Sequence, residues 1–490
     1  MSINQELTPI RFGTDGWRAI IADGYTFANL ERVAQAYAAY LRQPGEQAPA
    51  GGQEPRRVSP DDALKPLVVV GYDRRFLSEQ FAARAAEVLA GNDLRVALFE
   101  EPVPTPLVSW AVREQAAAGG VVITASHNPA EFNGFKIKAP WGGSAPPETT
   151  AAVESLLDAQ GPRRREVASA GERERLEASL KSYRAQIAAY VDLERLRAAQ
   201  LSVIVDSMHG AGARWVESFL KGGALRVETI RADRDPLFGG VNPEPIDRNL
   251  APLKARVREA GARLGLANDG DADRVGAVNE RGETMTMHEV VPLMLLHLAR
   301  RRGMTGGVVR TFSQSVLTRR IAEAHGLALY DTPIGFKHIA ELMLKTDILI
   351  GAEESGGIGL KGHIPERDGI LNCLLLLEAV VAAGKPISEM VRELHDEFGE
   401  FYFGRRDLHL EVSRGLDLVA ALASSAPATV AGLPVQRVET LDGTKLLFMD
   451  ESWLLFRQSG TEPVLRIYAE ATSKALTAAL LDEGERFARR

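Results

Sequence analysis

The chain is 490 residues long, with 45% hydrophobic and 25% charged residues and a formal net charge of -7. This composition excludes a disordered or membrane-embedded chain, and the acidic balance argues against nucleic acid and in favour of a small anionic ligand. The length exceeds what one hydrophobic core serves and predicts roughly three or four domains.

In chain order, the stretch Pro44 to Pro66 is rich in Gly, Pro, Gln and charge and reads as a flexible surface loop. Apolar runs followed by helical patterns then recur at Leu67 to Tyr72, Val121 to Ile123, Leu201 to Asp206, Leu264 to Asn268, Val308 to Thr311 and Ile348 to Gly351. Such alternation predicts layered α/β units that carry their ligand loops at strand ends. Between Pro162 and Gln200 an Arg-, Glu- and Ala-rich segment with helical spacing predicts a helical connection and a domain boundary. The run Ile370 to Gly384 contains Asn372 and Glu378 and reads as a buried helix, too short to span a bilayer. After Gly399 the pattern changes to strands at Tyr402 to Leu410, Lys445 to Phe448, Trp453 to Phe456 and Arg466 to Ala471, with a closing helix from Ser473, predicting a smaller α+β domain. Cys373 is the single cysteine and the amino terminus has no signal-peptide pattern, so the expected compartment is the cytoplasm.

Four loops carry chemistry. Thr124-Ala125-Ser126-His127-Asn128-Pro129 places a hydroxyl nucleophile directly after an apolar strand, whereas an ordinary turn serine would only satisfy its own backbone. In the NDGDADR stretch, Asp269, Asp271 and Asp273 are two residues apart, point to one side of an extended chain and form an all-oxygen set suited to Mg²⁺. The competing reading is a solvated acidic turn or a calcium loop, but the EF-hand pattern lacks its glutamate at the twelfth position. A serine beside a three-carboxylate metal site suggests phosphoryl transfer. Arg457-Gln458-Ser459-Gly460-Thr461-Glu462-Pro463 reads as a loop after the Trp453 to Phe456 strand with the composition of an anion nest, to which Arg466 adds charge. Gly351-Ala352-Glu353-Glu354-Ser355-Gly356-Gly357 offers Glu353 and Ser355 to vicinal sugar hydroxyls, or is a solvated acidic loop. Gly357, Gly359 and Gly362 meet a dinucleotide-binding spacing but do not sit between a strand and a helix. His127, adjacent to Ser126, is poorly placed as a triad base, which argues against a serine hydrolase.

These loops, with Phe12-Gly13-Thr14-Asp15-Gly16-Trp17-Arg18, Gly71-Tyr72-Asp73-Arg74-Arg75 and Asn133-Gly134-Phe135-Lys136, resemble the α-D-phosphohexomutase family in order and spacing along nearly the whole chain. The resemblance implies an α/β protein of four domains, three similar mixed α/β sheet domains plus a smaller C-terminal α+β domain around a central cleft. The expected boundaries are a phosphoserine domain at 1–185, a metal-binding domain at 186–290, a sugar-binding domain at 291–400 and a phosphate-binding domain at 401–490.

By the same resemblance, Ser126 is the phosphoserine and a metal ligand together with Asp269, Asp271 and Asp273, while His127, Lys136 and Arg274 surround the transferring group and Lys136 moves the proton. Glu353 and Ser355 hold the sugar, and Arg457, Ser459, Gly460, Thr461 and Arg466 hold the distal phosphate, with Arg18 and Lys337 as further substrate contacts. The implied cofactors are Mg²⁺ and a hexose 1,6-bisphosphate, and the implied partners are hexose phosphates, with no nucleic acid, no membrane and a monomer or homodimer. The implied reaction interconverts hexose 1-phosphate and 6-phosphate of glucose or mannose. Glucosamine-phosphate mutation, a sugar-bisphosphate phosphotransferase and a catalytically silent sugar-phosphate binder are the alternatives. Gly357 stands where several bacterial members carry a histidine, whereas Glu353-Glu354 and Trp17 look more like glucose- and mannose-phosphate members.

Overall fold

Every strand-like apolar run named above becomes a strand in the computed structural model, which describes residues 9–13, 15–43, 65–167, 170–459 and 463–489. The surface-loop segment 44–64 lies outside the described residues. The chain divides into two compact units, one formed by residues 1–284, 340–345 and 357–382 and the other by 285–339, 346–356 and 383–490.

The first unit holds two five-stranded sheets built on one plan. β1 (Trp17–Ile20), β2 (Leu67–Tyr72), β3 (Arg95–Leu98), β4 (Gly119–Ile123) and β5 (Phe132–Lys138) lie in the order β1-β5-β4-β2-β3. β6 (Ser202–Asp206), β7 (Arg226–Ile230), β8 (Leu264–Asn268), β9 (Val275–Asn279) and β10 (Thr284–Met285) lie in the order β10-β9-β8-β6-β7. In each, a parallel trio is extended by an antiparallel neighbour: β4 pairs parallel with β2 and antiparallel with β5, and β8 pairs parallel with β6 and antiparallel with β9. β2, β4 and β8 are buried along their whole length, which is why their sequences are nearly continuous apolar runs rather than alternating ones. The helices Phe27–Leu41 and Ser78–Gly91 pack Leu30, Val33, Phe81 and Leu89 against Val68, Val70 and Val121. The Pro162 to Gln200 segment folds into helices Ala170–Tyr190 and Leu193–Ala198.

β14 (Ile358–Leu360) and the helix Gly369–Ala383 also belong to the first unit. That helix is buried from Gly369 through Val380, so its apolar sequence is used by the protein interior. Among the described residues no single helix is long and apolar enough to cross a membrane.

In the second unit β11 (Gly307–Thr311) lies between β12 (Leu329–Thr332) and β13 (Ile348–Ala352), parallel to both. β15 (Tyr402–His409), β16 (Thr429–Val430), β17 (Leu433–Glu439), β18 (Thr444–Phe448), β19 (Trp453–Gln458) and β20 (Val464–Ala471) form an antiparallel sheet in the order β15-β20-β19-β18-β17-β16. One face of this sheet is covered by helices Val412–Ser424 and Lys474–Arg489 through Leu422, Leu446, Phe456, Ile467 and Leu480. The edge strand β15 accordingly has no fully buried residue.

The plan repeats at the functional loops. The Ser126 loop follows β4, the Asp269 loop follows β8 and the Glu353 loop follows β13, each a strand with a parallel neighbour in its sheet. Ligand loops of open α/β sheets lie at such strand ends.

Candidate active site

Ser126 leaves β4 with a left-handed backbone, φ 52°, and is only 1% exposed. A non-glycine residue holds that conformation only where its surroundings enforce it. Its N–H donates to Thr124 Oγ1 at 2.8 Å, and its hydroxyl donates to Asp269 Oδ2 at 2.9 Å. His127 Nδ1 lies 3.4 Å from the same hydroxyl. Burial of the His127 ring, then Arg274 and Arg18, hold its pKa well below the usual histidine value, so the ring is neutral near pH 7.

The carboxylates converge through a turn rather than an extended chain, which corrects the expectation from their alternation. Ala272 takes φ 59°, and Asp269 Oδ1 accepts from the backbone N–H groups of Asp273 and Arg274, both at 3.1 Å. The turn gathers Asp269, Asp271 and Asp273 so that one oxygen from each lies within 4.8 Å of the others. All three side chains are fully buried. Asp271 Oδ2 accepts from Thr105 Oγ1 at 2.8 Å and Lys136 Nζ at 2.9 Å, and Asp273 Oδ2 from Arg367 Nη2 at 3.0 Å. The remaining oxygens, Asp271 Oδ1 and Asp273 Oδ1, have no hydrogen-bond partner. Buried carboxylate oxygens left unpaired in an all-oxygen cluster match what a hard divalent cation requires. Burial raises the Asp269 pKa far above its ordinary value, and the neighbouring Asp271 and Asp273 charges push it further.

Lys136 comes from β5, the strand next to β4, and is 1% exposed. Its ammonium also meets Asp15 at 2.9 Å and Asp273 at 3.2 Å. Burial favours the neutral amine, but Asp15, Asp271 and Asp273 outweigh it and raise the pKa. The group is therefore a held cation that donates a proton before it can accept one. Arg18, from β1, donates to Asn128 Oδ1 at 2.7 Å and lies 3.7 Å from Asp15. Arg274 lies 4.0 Å from Asp269 and 3.9 Å from Asp273.

Asp15, Thr105 and Arg367 are site residues to which sequence reasoning gave no role. Asp15 belongs to the Phe12 to Arg18 motif, and Arg367 follows the glycine-rich stretch Gly357 to Gly362. Thr105, the first residue of the helix Thr105–Glu114, carries no local signal. Arg367 bridges Asp15 and Asp273, each at 3.0 Å, and rests on Glu366, which in turn accepts from Lys138 at 2.7 Å.

The second unit carries the remaining predicted residues. Glu353 is buried and Ser355 half-buried in a turn in which the Gly356 N–H donates to the Glu353 carbonyl at 3.3 Å, while Glu354 lies 3.5 Å from Arg405. Lys337 is half-buried in the first turn of the helix Phe336–Lys345. Arg457 is not in a loop, as its sequence suggested, but in β19, which runs through Gln458 because its backbone pairs with β20 to that point. It stands directly opposite Arg466 in register, and donates to both carboxylate oxygens of Asp442 at 3.0 Å. Ser459 is buried, its N–H donating to the Val464 carbonyl at 2.9 Å. Gly460 and Thr461 lie outside the described residues.

A buried hydroxyl on a carboxylate cluster, ringed by fixed cations, is chemically equipped to exchange a phosphoryl group. Comparison with known proteins agrees. Residues 9–164, 181–282 and 287–398 match alpha/beta/alpha domains I, II and III of the phosphoglucomutase/phosphomannomutase family, and 414–486 match its C-terminal domain. A phosphoglucomutase/phosphomannomutase of Thermococcus kodakarensis is 32% identical over 473 residues, covering 96% of this chain and 97% of its own. A phosphoglucosamine mutase of Novosphingobium aromaticivorans is 30% identical over 477 residues, covering 96% and 97%. A Thermus thermophilus crystal structure with a provisional phosphomannomutase designation superposes with a TM-score of 0.83 at 39% identity, covering 98% of this chain and 99% of that one. The fold and these matches define an intramolecular phosphotransferase. The chain belongs to the phosphoglucomutase/phosphomannomutase family.

Proposed function

We propose that the enzyme interconverts hexose 1-phosphate and hexose 6-phosphate, of glucose or mannose, through a phosphoserine at Ser126 and a hexose 1,6-bisphosphate. The observation that carries this reading is the Ser126 hydroxyl 2.9 Å from Asp269, in a trio with two unpaired carboxylate oxygens. Asp269, Asp271 and Asp273 would hold Mg²⁺, joined by an oxygen on Ser126. When bound, the ion offsets charge on the phosphoryl oxygens and on the serine oxygen as leaving group.

In this reading the chain's own groups do the rest. Arg274 and Arg18 stabilise the transferring group electrostatically, and His127 stands beside the serine oxygen as a neutral hydrogen-bonding group. Lys136, held charged, gives its proton to the departing serine oxygen and recovers one from the attacking sugar hydroxyl, and the return step reverses both transfers. Glu353 and Ser355 accept from sugar hydroxyls, with Lys337 as a further contact. Arg457 and Arg466, opposite each other in register, take the distal phosphate with Ser459, Gly460 and Thr461.

A glucosamine-phosphate substrate is the second reading, favoured by the relative of that name at 30% identity. The domain roles proposed from the sequence, a cytoplasmic location and a monomer or homodimer complete the reading. The experiment is a side-by-side assay of glucose, mannose and glucosamine 1-phosphates with Mg²⁺ and catalytic bisphosphate, for the wild type and Ser126→Ala. Turnover of the glucose or mannose ester that disappears in Ser126→Ala is the expected result. Undiminished turnover in the variant would reject the phosphoserine, and preference for glucosamine phosphate would reassign the substrate.

A further inference from the structure

Arg75 is fully buried behind the Ser126 loop, and each of its guanidinium nitrogens is used. Nε donates to Asp73 Oδ2 at 3.1 Å. Nη1 donates to the Pro129 and Phe132 carbonyls at 2.7 and 3.1 Å, and Nη2 to those of Ser126 and Asn128, both at 2.7 Å. The ring of Phe238 lies 4.9 Å below the guanidinium carbon. Asp73 closes the circuit: it accepts from Thr124 Oγ1 at 2.6 Å and Ser78 Oγ at 2.8 Å, and Thr124 Oγ1 accepts in turn from the Ser126 N–H. One side chain thus grips four carbonyls between Ser126 and the first residue of β5, and both backbone polar groups of Ser126 are tied, through Arg75 and Thr124, to the same carboxylate.

We infer that Arg75 is a positioning residue, holding Ser126 in its left-handed conformation so that Oγ is aimed at Asp269 and at an incoming phosphoryl group. The inference rests on the reading of Ser126 as phosphoryl acceptor. A lysine keeps the charge beside Asp73 but cannot supply a planar fork with five donors.

The test follows phosphate uptake by dephosphorylated full-length protein, given glucose 1,6-bisphosphate and Mg²⁺, by intact-mass time course. In that step an Oγ–P bond forms, a sugar O–P bond breaks and the serine proton passes to the released sugar oxygen. Arg75→Lys is expected to slow uptake on the order of 10²-fold, since a 1 Å misplacement has that effect. Thr124→Val, close in shape, removes the acceptor of the Ser126 N–H together with the donor to Asp73, and is expected to slow it about tenfold. In both, the bisphosphate concentration giving half-maximal rate should stay at its wild-type value, a separation that general loss of structure would not produce. If Arg75→Lys does not fold, Thr124→Val decides alone. Wild-type uptake rates in a folded variant, or a loss confined to the half-maximal concentration, would overturn the inference. Absence of uptake by the wild type, or equal uptake by Ser126→Ala, would instead overturn the phosphoserine reading.

Discussion

At the scale of single residues, the site is a balance of buried charge in which each group's state is set by its neighbours. Asp271 illustrates this. Burial works against its ionisation, yet Lys136 and the hydrogen bonds from Lys136 and Thr105 hold its pKa well below the ordinary carboxylate value. Thr105 thus orients a proposed metal ligand, and outer partners of this kind are worth 10–100-fold in metal affinity. Thr105→Val should weaken Mg²⁺ binding by about that factor, read by calorimetric titration, with little change in thermal stability. Lys136→Met removes a buried cation shared by three carboxylates and should destabilise the protein by roughly 3–5 kcal/mol, the range for breaking a buried pair. Denaturant titration in the presence and absence of Mg²⁺ would check this, and the deficit should shrink when Mg²⁺ is added.

At the scale of elements, loops are positioned by close backbone contact as much as by side chains. Gly369 opens its helix with an N–H donated to the Ala272 carbonyl at 3.1 Å, and a Cβ there would stand 2.3 Å from the Arg274 carbonyl. Gly369→Ala must therefore shift the carboxylate turn, and the expected outcome is a loss of Mg²⁺ affinity in a protein that remains folded by circular dichroism. Strand β18 offers a pH-dependent counterpart. Lys445 is buried, its Nζ donating to the Phe312 carbonyl at 2.9 Å and lying 4.0 Å over the Trp453 ring. Burial, with a smaller contribution from Arg310, lowers its pKa from 10.5 to about 7. Between those values the unfolded chain holds a proton that the folded one has released, so this group adds stability as pH rises; below about pH 7 both forms are charged and its cost is constant. The Tm gap between Lys445→Met and wild type should accordingly narrow in favour of the wild type as pH climbs from 7 towards 10.

Strands with a parallel neighbour were legible in the sequence where burial on both faces leaves almost only apolar residues, as in Leu67–Tyr72 and Leu264–Asn268. β5, reading FNGFKIK, escaped notice because its polar residues serve the site and its core packing: Asn133 bonds Ser78, and Lys136 and Lys138 are ion-paired. Ser126 and the aspartates were legible because their chemistry is compressed into short runs. Arg367 and Thr105 were not, since only folding brings them to those carboxylates. The register of Arg457 against Arg466 likewise depends on how far β19 pairs with β20, which local composition does not encode.

At the scale of the whole molecule, the first unit repeats one sheet plan twice and puts a different chemistry on the same loop each time, a hydroxyl after β4 and carboxylates after β8. The two meet at Ser126 and Asp269, and Gly270 permits the approach, since a Cβ on it would lie 2.3 Å from the Ser126 carbonyl. Gly270→Ala should therefore reduce phosphate uptake by Ser126 more than it reduces the Tm, compared by intact mass and calorimetry.

The single thiol of the chain lies just behind this meeting point. Cys373 is fully buried, with Asn268 Nδ2 3.5 Å from its sulfur and the Ala267 carbonyl 3.9 Å away, and burial pushes its pKa far up. A protonated, enclosed sulfur reacts with a disulfide reagent only during excursions that expose it, so colour development with such a reagent is a clock for breathing of the strand that leads into the aspartate turn. The wild-type sequence thus contains its own single-site label, with no competing cysteine to remove, and saturating Mg²⁺ should make that clock run slower.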